Sequence, residues 1–216
     1  MSTSLLPEHA NALATFDHVQ RTRLVFGNGM AARVGELSAE LGLKRILLVT
    51  DPGIVRAGHV ATVRKSLEAA GLEVVVFDQV IENPTTDCVE RCRRLAERAG
   101  SDSFLGLGGG SSMDTAKGAN FLLTNGGRMQ DYWGIGLAKW EMLPLIVIPT
   151  TAGTGSECQS FALISDIETH NKMACGDLKA AAKIAILDPE LTLSLPRNVT
   201  ACTGIDAIAH AVETAV

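Results

Sequence analysis

Short apolar runs alternate with helical stretches from Arg23 to Pro149. The runs are continuous in Val, Ile and Leu, which is typical of strands that are covered on both faces in a parallel sheet. Two of the helical stretches end at a glycine, a common residue just after a helix. The predicted strands are Arg23–Phe26, Arg45–Thr50, Glu73–Phe77, Ser103–Leu107 and Leu145–Ile148. The predicted helices are Met30–Leu41, Val55–Ala70, Asp87–Ala99 and a fourth from Ser112 to about Thr124.

Repeated βα units of this kind predict a doubly wound α/β domain with a Rossmann-like parallel sheet. After Pro149 the pattern changes. Phe161–Ser165 and Ile184–Leu187 are predicted strands on either side of a polar turn, Asp166–Asn171. From Asn198 the pattern is helical to the last residue without a stop signal, so we expect a chain that is interrupted there.

Composition and charge exclude several classes of protein. The formal net charge of −5 argues against a nucleic acid partner, because phosphate-binding surfaces need a basic excess. No apolar run approaches the roughly 20 residues that span a bilayer, so we expect no membrane partner. Residues 1–21 lack the pattern of a secretory signal and are interpreted as a leader. Five scattered cysteines, an odd number, favour free thiols in a reducing, cytoplasmic setting.

Two glycine-rich loops compete for a phosphate group. Gly27–Ala32 (GNGMAA) matches the dinucleotide fingerprint between a strand and a helix. Asp51 follows roughly 20 residues later, at the end of the next strand, and completes that fingerprint. The same loop could be only a tight turn, because glycine is the usual residue where a chain bends sharply.

The second loop leaves a predicted strand and enters a helix through three consecutive glycines, Gly108–Gly110. Without Cβ atoms the backbone can approach a pyrophosphate closely, and the free N–H groups of the helix start point toward it. Ser111 and Asp114 have the spacing of a capping box, so a capped helix after a flexible turn is the structural alternative. One cap does not require three glycines, and the pattern favours phosphate binding.

Four motifs follow one another along the chain: GGGSSMDTAK at 108–117, PTTAGTGSE at 149–157, ILDPELTLSLP at 186–196 and TGIDAIAHAVE at 203–213. Together they resemble the iron-containing (group III) alcohol dehydrogenases, a family of NAD(P)-dependent, metal-activated oxidoreductases. The resemblance implies a dinucleotide-binding α/β domain over 22–194 after the leader. It also implies an all-helical metal-binding domain whose beginning covers 195–216 and which is truncated here.

The resemblance assigns the pyrophosphate to Gly109, Gly110 and Ser111, and leaves Gly27 and Gly29 a structural role. It assigns a set of polar side chains to the same cofactor. Threonine hydroxyls at the end of a strand can bind phosphate or the nicotinamide-side ribose, and an ordinary turn or a surface lysine is the alternative for several members of the set. The set is Asn83, Asp114, Thr150, Thr151, Thr154 and Lys172.

Asp51 is expected to face the adenosine ribose. Its carboxylate can accept hydrogen bonds from the ribose hydroxyls, and it would repel a 2′-phosphate, so it favours NAD over NADP. A helix cap at the turn before Pro52 is the alternative role.

Asp206 and His210 are four residues apart on a predicted helix, so both side chains project from one face. Spacing alone leaves open a solvated contact or a capping box with Thr203. The resemblance makes the pair the first two ligands of a divalent metal, with two more histidines expected beyond residue 216. Iron(II) is the default metal and zinc the alternative. The remaining histidines, interpreted as surface or structural residues, are His9, His18, His59 and His170.

The implied reaction is hydride transfer between a small alcohol, aldehyde or ketone and NAD(H), with the metal polarising the substrate oxygen. No general acid or base is evident. Gln159 and Phe161 replace a threonine and an asparagine that line the substrate side in many members, which leaves the substrate open. The alternatives are a non-catalytic nucleotide-binding module and a relative of glycerol dehydrogenase or dehydroquinate synthase, and a homo-oligomer is a further option. We expect the chain as given to be inactive.

Overall fold

The computed structural model describes residues 19–215. Residues 1–18 and Val216 lie outside the described residues, and with them most of the predicted leader, His9 and His18. The strands are β1 (Arg23–Phe26), β2 (Arg45–Val49), β3 (Glu73–Phe77), β4 (Ser103–Gly108), β5 (Gly134–Ile135), β6 (Leu145–Pro149), β7 (Phe161–Ser165), β8 (Lys172–Gly176) and β9 (Ile184–Leu187). The helices are α1 (Val34–Glu40), α2 (Pro52–Arg56), α3 (His59–Ala69), α4 (Thr86–Ala99), α5 (Gly110–Asn125) and α6 (Arg197–Glu213).

Six strands form one sheet in the order β1-β9-β6-β4-β2-β3, with parallel pairing throughout. The chain passes from β2 to β3 in one direction and then crosses back to place β4 on the other side of β2. The loops that follow β2 and β4 therefore diverge and open a crevice at the carboxyl ends of these strands. The predicted α/β, Rossmann-like fold is confirmed.

Two apolar layers cover the two faces of this sheet. Ile46 and Leu48 of β2 pack into the layer that contains α1 and α3, whereas Leu47 and Val49 pack into the layer of α4 and α5. β4 and β6 are buried along their whole lengths. Burial on both faces is the reason that the strands read as continuous apolar runs in the sequence.

Two of the predicted helices are subdivided. Met30–Leu41 begins as a 3-10 helix over Met30–Arg33 and continues as α1. Val55–Ala70 is divided between α2 and α3 by Gly58, whose φ of 83° ends one helix before the next begins.

A second sheet, in the order β5-β8-β7, packs on α5; β5 precedes β6 in the chain, and β7 and β8 follow it. β7 pairs antiparallel with β8 across the turn 166–171, and β9 joins the large sheet instead. The sequence analysis missed β5 and β8. β5 has only two residues, and β8 begins with Lys172 and ends with Gly176, so its apolar run is too short to stand out. No helix within residues 19–215 is long and apolar enough to cross a membrane.

Candidate nucleotide and metal site

A cleft of about 840 Å³ opens at the carboxyl ends of β2, β4 and β6. Its walls come from the loops that follow these strands, from the loop after β3 and from the start of α6. This is the place where a doubly wound sheet binds ligands, because the strand order reverses between β2 and β4. The polar side chains in its wall include Asp51, Ser111, Ser112, Thr150 and Thr151, beside the backbone of Gly109 and Gly110.

The start of α5 presents an anion-binding end to this cleft. Gly108 has a φ of 142°, and a Cβ there would lie 2.5 Å from the Ser112 hydroxyl, so the position requires glycine. Gly109 is the N-cap and makes no side-chain capping bond, which leaves the N–H groups of Gly110 and Ser111 for a ligand, whereas Ser112 N donates to the Gly109 carbonyl oxygen at 3.1 Å. The capping-box alternative is therefore wrong for Ser111 and Asp114.

Three buried hydroxyls in the wall of the cleft have no hydrogen-bond partner among the described residues. They are Ser112 Oγ, Thr150 Oγ1 and Thr151 Oγ1. A buried hydroxyl without a partner loses free energy, and a phosphate or ribose ligand would restore its hydrogen bond. The wall of the cleft therefore fits a polar ligand such as a dinucleotide. Ser112 was missed by the sequence analysis, although it lies within the same glycine-serine motif.

Asp51 combines a structural contact with a position in the cleft. It is the N-cap of α2, and its Oδ1 accepts hydrogen bonds from Gly53 N at 2.7 Å and Ile54 N at 3.1 Å. The alternative of a helix cap is thus confirmed. Its other oxygen, Oδ2, lies 3.4 Å from the position of a Cβ on Gly108, so it faces the glycine loop. The cap holds the carboxylate in one orientation and leaves Oδ2 for a ligand.

The first glycine loop already holds an anion that belongs to the protein itself. The buried carboxylate of Asp188 accepts hydrogen bonds from Gly29 N at 3.1 Å and Ala31 N at 3.0 Å. Asp188 also accepts a bond from Glu190 N at 3.2 Å, at the start of the 3-10 helix Pro189–Ser194. The dinucleotide-like fingerprint at Gly27–Ala32 is therefore a structural turn, as the resemblance implied.

Asn83 and Lys172 lie together beside the glycine loop. Lys172 Nζ donates to Asn83 Oδ1 at 3.1 Å, and Asn83 N donates to Ser111 Oγ at 3.3 Å. Asn83 has a φ of 50°, an uncommon conformation for a residue other than glycine. The structure thus brings these two predicted cofactor residues within reach of Ser111.

Asp114 lies in a buried polar network behind the cleft. Ser156 Oγ donates to Asp114 Oδ1 at 2.8 Å, and Lys117 Nζ lies 4.0 Å from the same oxygen. Burial raises the pKa of Asp114, opposed by the nearby Lys117 charge, and burial lowers the pKa of Lys117 to about 8. The sequence analysis named Asp114 as a cofactor residue but missed Lys117 and Ser156. A lysine on an otherwise apolar helix face was the available signal.

Asp206 and His210 lie on one face of α6, as their spacing predicts. His210 Nε2 is 3.8 Å from Asp206 Oδ1, a separation that one ion could bridge with bonds of about 2.1 Å. His210 Nδ1 is 2.9 Å from the carbonyl oxygen of Gly153. Metal-ligating histidines usually direct the second ring nitrogen to such an acceptor. The chemistry of the pair fits two ligands of a divalent ion.

The loop after β6 packs tightly against α6. A Cβ on Gly153 would collide with the carbonyl group of Thr203, so only glycine permits this approach. Thr154 lies on the other side of the loop, with its Oγ1 3.3 Å from the position of a Cβ on Gly110. One loop thus contacts both the start of α5 and the helix that carries Asp206 and His210.

The other residues singled out in the sequence lie elsewhere. His59 Nε2 is 2.7 Å from Ser194 Oγ, and His170 occupies the turn between β7 and β8. Gln159 and Phe161 line a separate cavity of about 830 Å³ beside β1. The ring of Phe161 also packs on Gly176 across the β7–β8 pair.

A family model described as iron-containing alcohol dehydrogenase matches residues 21–189. The chain belongs to this family. It is 44% identical over 195 residues to a choline dehydrogenase of Bacillus subtilis, covering 89% of this chain and 48% of that protein. It is 38% identical over 189 residues to an NAD-dependent methanol dehydrogenase of Bacillus methanolicus, covering 88% of this chain and 50% of that protein.

Solved structures of this family share the fold as well. A 1,3-propanediol oxidoreductase superposes with a TM-score of 0.88 and 34% identity, over 92% of this chain and 52% of that one. The chain spans about half the length of the curated relatives it matches. The predicted family is therefore confirmed.

Proposed function

We propose that this chain provides the NAD(H)-binding part of an alcohol oxidoreductase and two ligands for a divalent metal. The observation that carries the proposal is the wall of the cleft, where an uncapped helix start and three partnerless hydroxyls converge at the switch point of the sheet. The names of related proteins support it, since one is an NAD-dependent methanol dehydrogenase. The expected substrates are small alcohols or aldehydes.

The proposal gives each part of the cleft a role. Gly109, Gly110 and Ser111 would hold the pyrophosphate at the start of α5, and Asp51 Oδ2 would accept a bond from the adenosine ribose. The hydroxyls of the loop after β6 would bind toward the nicotinamide end. Asn83 and Lys172 would support the cofactor beside Ser111, with Asn83 toward the adenosine side, and Asp114 would hold Ser156 of the loop after β6. The residues of the loop after β6 whose hydroxyls would bind toward the nicotinamide end are Thr150, Thr151 and Thr154.

Asp206 and His210 would hold the divalent ion, as two members of a larger ligand set. The bound ion supplies Lewis-acid chemistry to the substrate oxygen. The protein orients the imidazole through the Gly153 carbonyl and places it beside the loop after β6. In this proposal 22–194 is the nucleotide-binding domain and 195–216 begins the helical metal-binding domain. Iron(II) is the proposed metal, with zinc as the alternative.

The proposed compartment is the cytoplasm. All five cysteines are free thiols in the structure, and three of them are buried. Free thiols are the rule in a reducing compartment.

Asp51 provides the direct test of the proposed cofactor. Wild-type chain should bind NADH more tightly than NADPH, because the Asp51 carboxylate repels the 2′-phosphate. Asp51→Asn keeps a side-chain oxygen for the α2 cap but removes the charge, so the preference should fall while the melting temperature changes little. Titration calorimetry with both cofactors measures the preference.

Asp51→Gly is the companion variant, because it removes both the cap and the charge. It should erode the preference in the same way and also lower the melting temperature. Equal affinity of the wild-type chain for NADH and NADPH would contradict the assignment of Asp51. Binding of neither cofactor would contradict the proposed function.

A non-catalytic nucleotide-binding module is the second candidate. Within residues 19–215, no group of three or more His, Cys, Asp and Glu side chains is placed to hold a metal ion. NADH binding alone fits both candidates. Metal-dependent oxidation of an alcohol by a protein that includes these residues would exclude the module.

A further inference from the structure

Lys117 is a completely buried lysine in the middle of α5. Its ammonium donates to the carbonyl oxygen of Ser156 at 2.6 Å, to Ser156 Oγ at 3.0 Å and to the carbonyl oxygen of Phe161 at 3.0 Å. Three N–H donors thus meet three acceptors, and no donor is left over. Lysine is almost never fully buried unless it is paired, so the residue must contribute something that an apolar side chain cannot.

Two of the three acceptors, the carbonyl and hydroxyl oxygens of Ser156, belong to one segment, and the third is the carbonyl oxygen of Phe161, the residue that follows this segment at the start of β7. The segment 150–160 has no regular secondary structure and runs from β6 to β7. Its first part faces the glycine loop and α6, through Thr151, Gly153 and Thr154. Its later part is held by the hydrogen bonds that Lys117, on α5, donates to Ser156. The Ser156 hydroxyl connects Lys117 to Asp114, because its Oγ accepts a hydrogen bond from Lys117 Nζ and donates one to Asp114 Oδ1.

We propose that Lys117 is a positioning residue that holds the loop 150–160 in the shape required by the nicotinamide half of the cofactor. The inference rests on the proposed function, because it presumes that the cleft binds NAD(H). Lys117 itself is not among the residues that line the cleft. It acts through the backbone of Ser156 and Phe161. The Lys117 side chain makes no hydrogen bond to Asp51 or to Gly109–Ser111, where the adenosine and pyrophosphate are proposed to bind, so we expect those positions to be retained without it.

The charge of Lys117 is part of this arrangement. A protonated amine has three donors for the three acceptors, whereas the neutral amine has two and leaves one acceptor without a partner. The groups that act on Lys117 are Asp114 on α5, and Glu157 and Cys158 in the loop. Because burial lowers the pKa of Lys117 to about 8, the amine loses its proton between neutral and alkaline pH. The hydrogen bonding of Lys117 to Ser156 and Phe161 should weaken over the same pH interval.

The test compares two ligands on the 216-residue chain. ADP occupies only the adenosine and pyrophosphate positions, whereas NADH also reaches the nicotinamide end. Lys117→Met has a similar length and no donor, so it should lower NADH affinity at least tenfold and leave ADP affinity unchanged. Lys117→Gln retains two N–H donors and should give an intermediate loss.

Asn120→Leu is the matched control on the same helix. Asn120 is also buried, and its side chain holds the backbone of Leu143, at the other end of the sheet from the cleft. This variant should lower the melting temperature, as Lys117→Met does, but should change neither affinity. A general loss of stability would therefore be distinguished from a loss of loop position.

A pH series on the wild-type chain tests the same role of Lys117 without any variant. NADH affinity should fall as the pH rises from 7 to about 9.5, through the lowered pKa of Lys117, while ADP affinity stays constant. The inference is overturned if NADH and ADP affinities change together in the variants, or if neither changes, or if the pH series shows no difference. It is also overturned if the wild-type chain binds ADP and NADH equally. If the wild-type chain binds neither, the proposed function itself fails.

Discussion

Three backbone N–H groups converge on the carboxylate of Asp188, and two of them come from the glycine loop that follows β1. Such a loop attracts an anion for the same physical reason as a phosphate-binding loop, because its N–H groups point into one small space. In the sequence, GNGMAA and GGGSS are therefore similar signals. What separates them is a carboxylate 157 residues away from Ala31, a contact that no local pattern reveals.

We expect Asp188→Asn to lower the free energy of unfolding by about 2 kcal/mol, because the amide NH₂ would face backbone N–H donors that now bind a carboxylate. NADH affinity should stay unchanged, since the loop at Gly27–Ala32 does not hold the cofactor in our proposal. Urea unfolding and calorimetric titration measure the two quantities. Asp87→Asn is the control, because its exposed ion pair with Arg91 should contribute less than about 1 kcal/mol. A large loss of NADH affinity in Asp188→Asn would mean that the loop at Gly27–Ala32 does contribute to the cofactor site.

At the scale of elements, the parallel strands and β7 were predictable, whereas the other two strands of the second sheet, β5 and β8, were not. β4 and β6 are buried on both faces, so their composition alone identifies them. β8 exists because β7 offers it an antiparallel partner, and the information for that pairing lies in tertiary packing on α5. The division between α2 and α3 was missed because the helical pattern of apolar residues continues across Gly58. The backbone at Gly58, with a φ of 83°, is not helical and separates the two helices.

The contact between α6 and the loop after β6 is the element-level feature that is easiest to test. α6 has no buried residue, so its backbone contact at Gly153 and the His210 bond carry much of its attachment. Gly153→Ala would place a methyl group into the Thr203 carbonyl and should push the helix away. Hydrogen exchange of residues 197–213 should become faster, while exchange in β4 and β6 remains slow.

Gly204→Ala provides the matched control on α6 itself. A Cβ at Gly204 meets no atom within 4 Å, and alanine favours helix by about 1 kcal/mol over glycine. Exchange across α6 should therefore become slower in this variant. Unchanged exchange in Gly153→Ala would show that the helix does not depend on the loop.

At the scale of the whole molecule, the sequence predicted the fold and the family, and the structure adds how the parts are arranged. The glycine loop, Asp51 and the hydroxyls of the loop after β6 meet in one cleft, as the order of the sheet requires. Asp206 and His210 lie on the far side of that same loop, joined to it through Gly153. The proposed nucleotide and metal positions thus share one segment, 150–160.

This arrangement predicts that the 216-residue chain separates cofactor binding from catalysis. The residues proposed for NAD(H) lie within the described part of the chain, so NADH should bind and raise the melting temperature as its concentration increases. Among residues 19–215 only Asp206 and His210 are placed as donors for the metal, both with half-exposed side chains, and each missing ligand lowers affinity. Added iron(II) or zinc should therefore give no NADH formation from short alcohols or diols.

The curated relatives, about twice as long, provide the comparison, and the decisive variant is His210→Ala in a protein of that length that includes these residues. It should lose bound metal and dehydrogenase activity and still bind NADH, because the cofactor residues lie on other elements. Metal analysis and calorimetry measure the two properties separately. Metal-dependent turnover by the 216-residue chain would mean that a complete active site exists within these residues. Full metal content in His210→Ala would mean that this imidazole is not a ligand, and that its bond to Gly153 only fastens α6 to the loop.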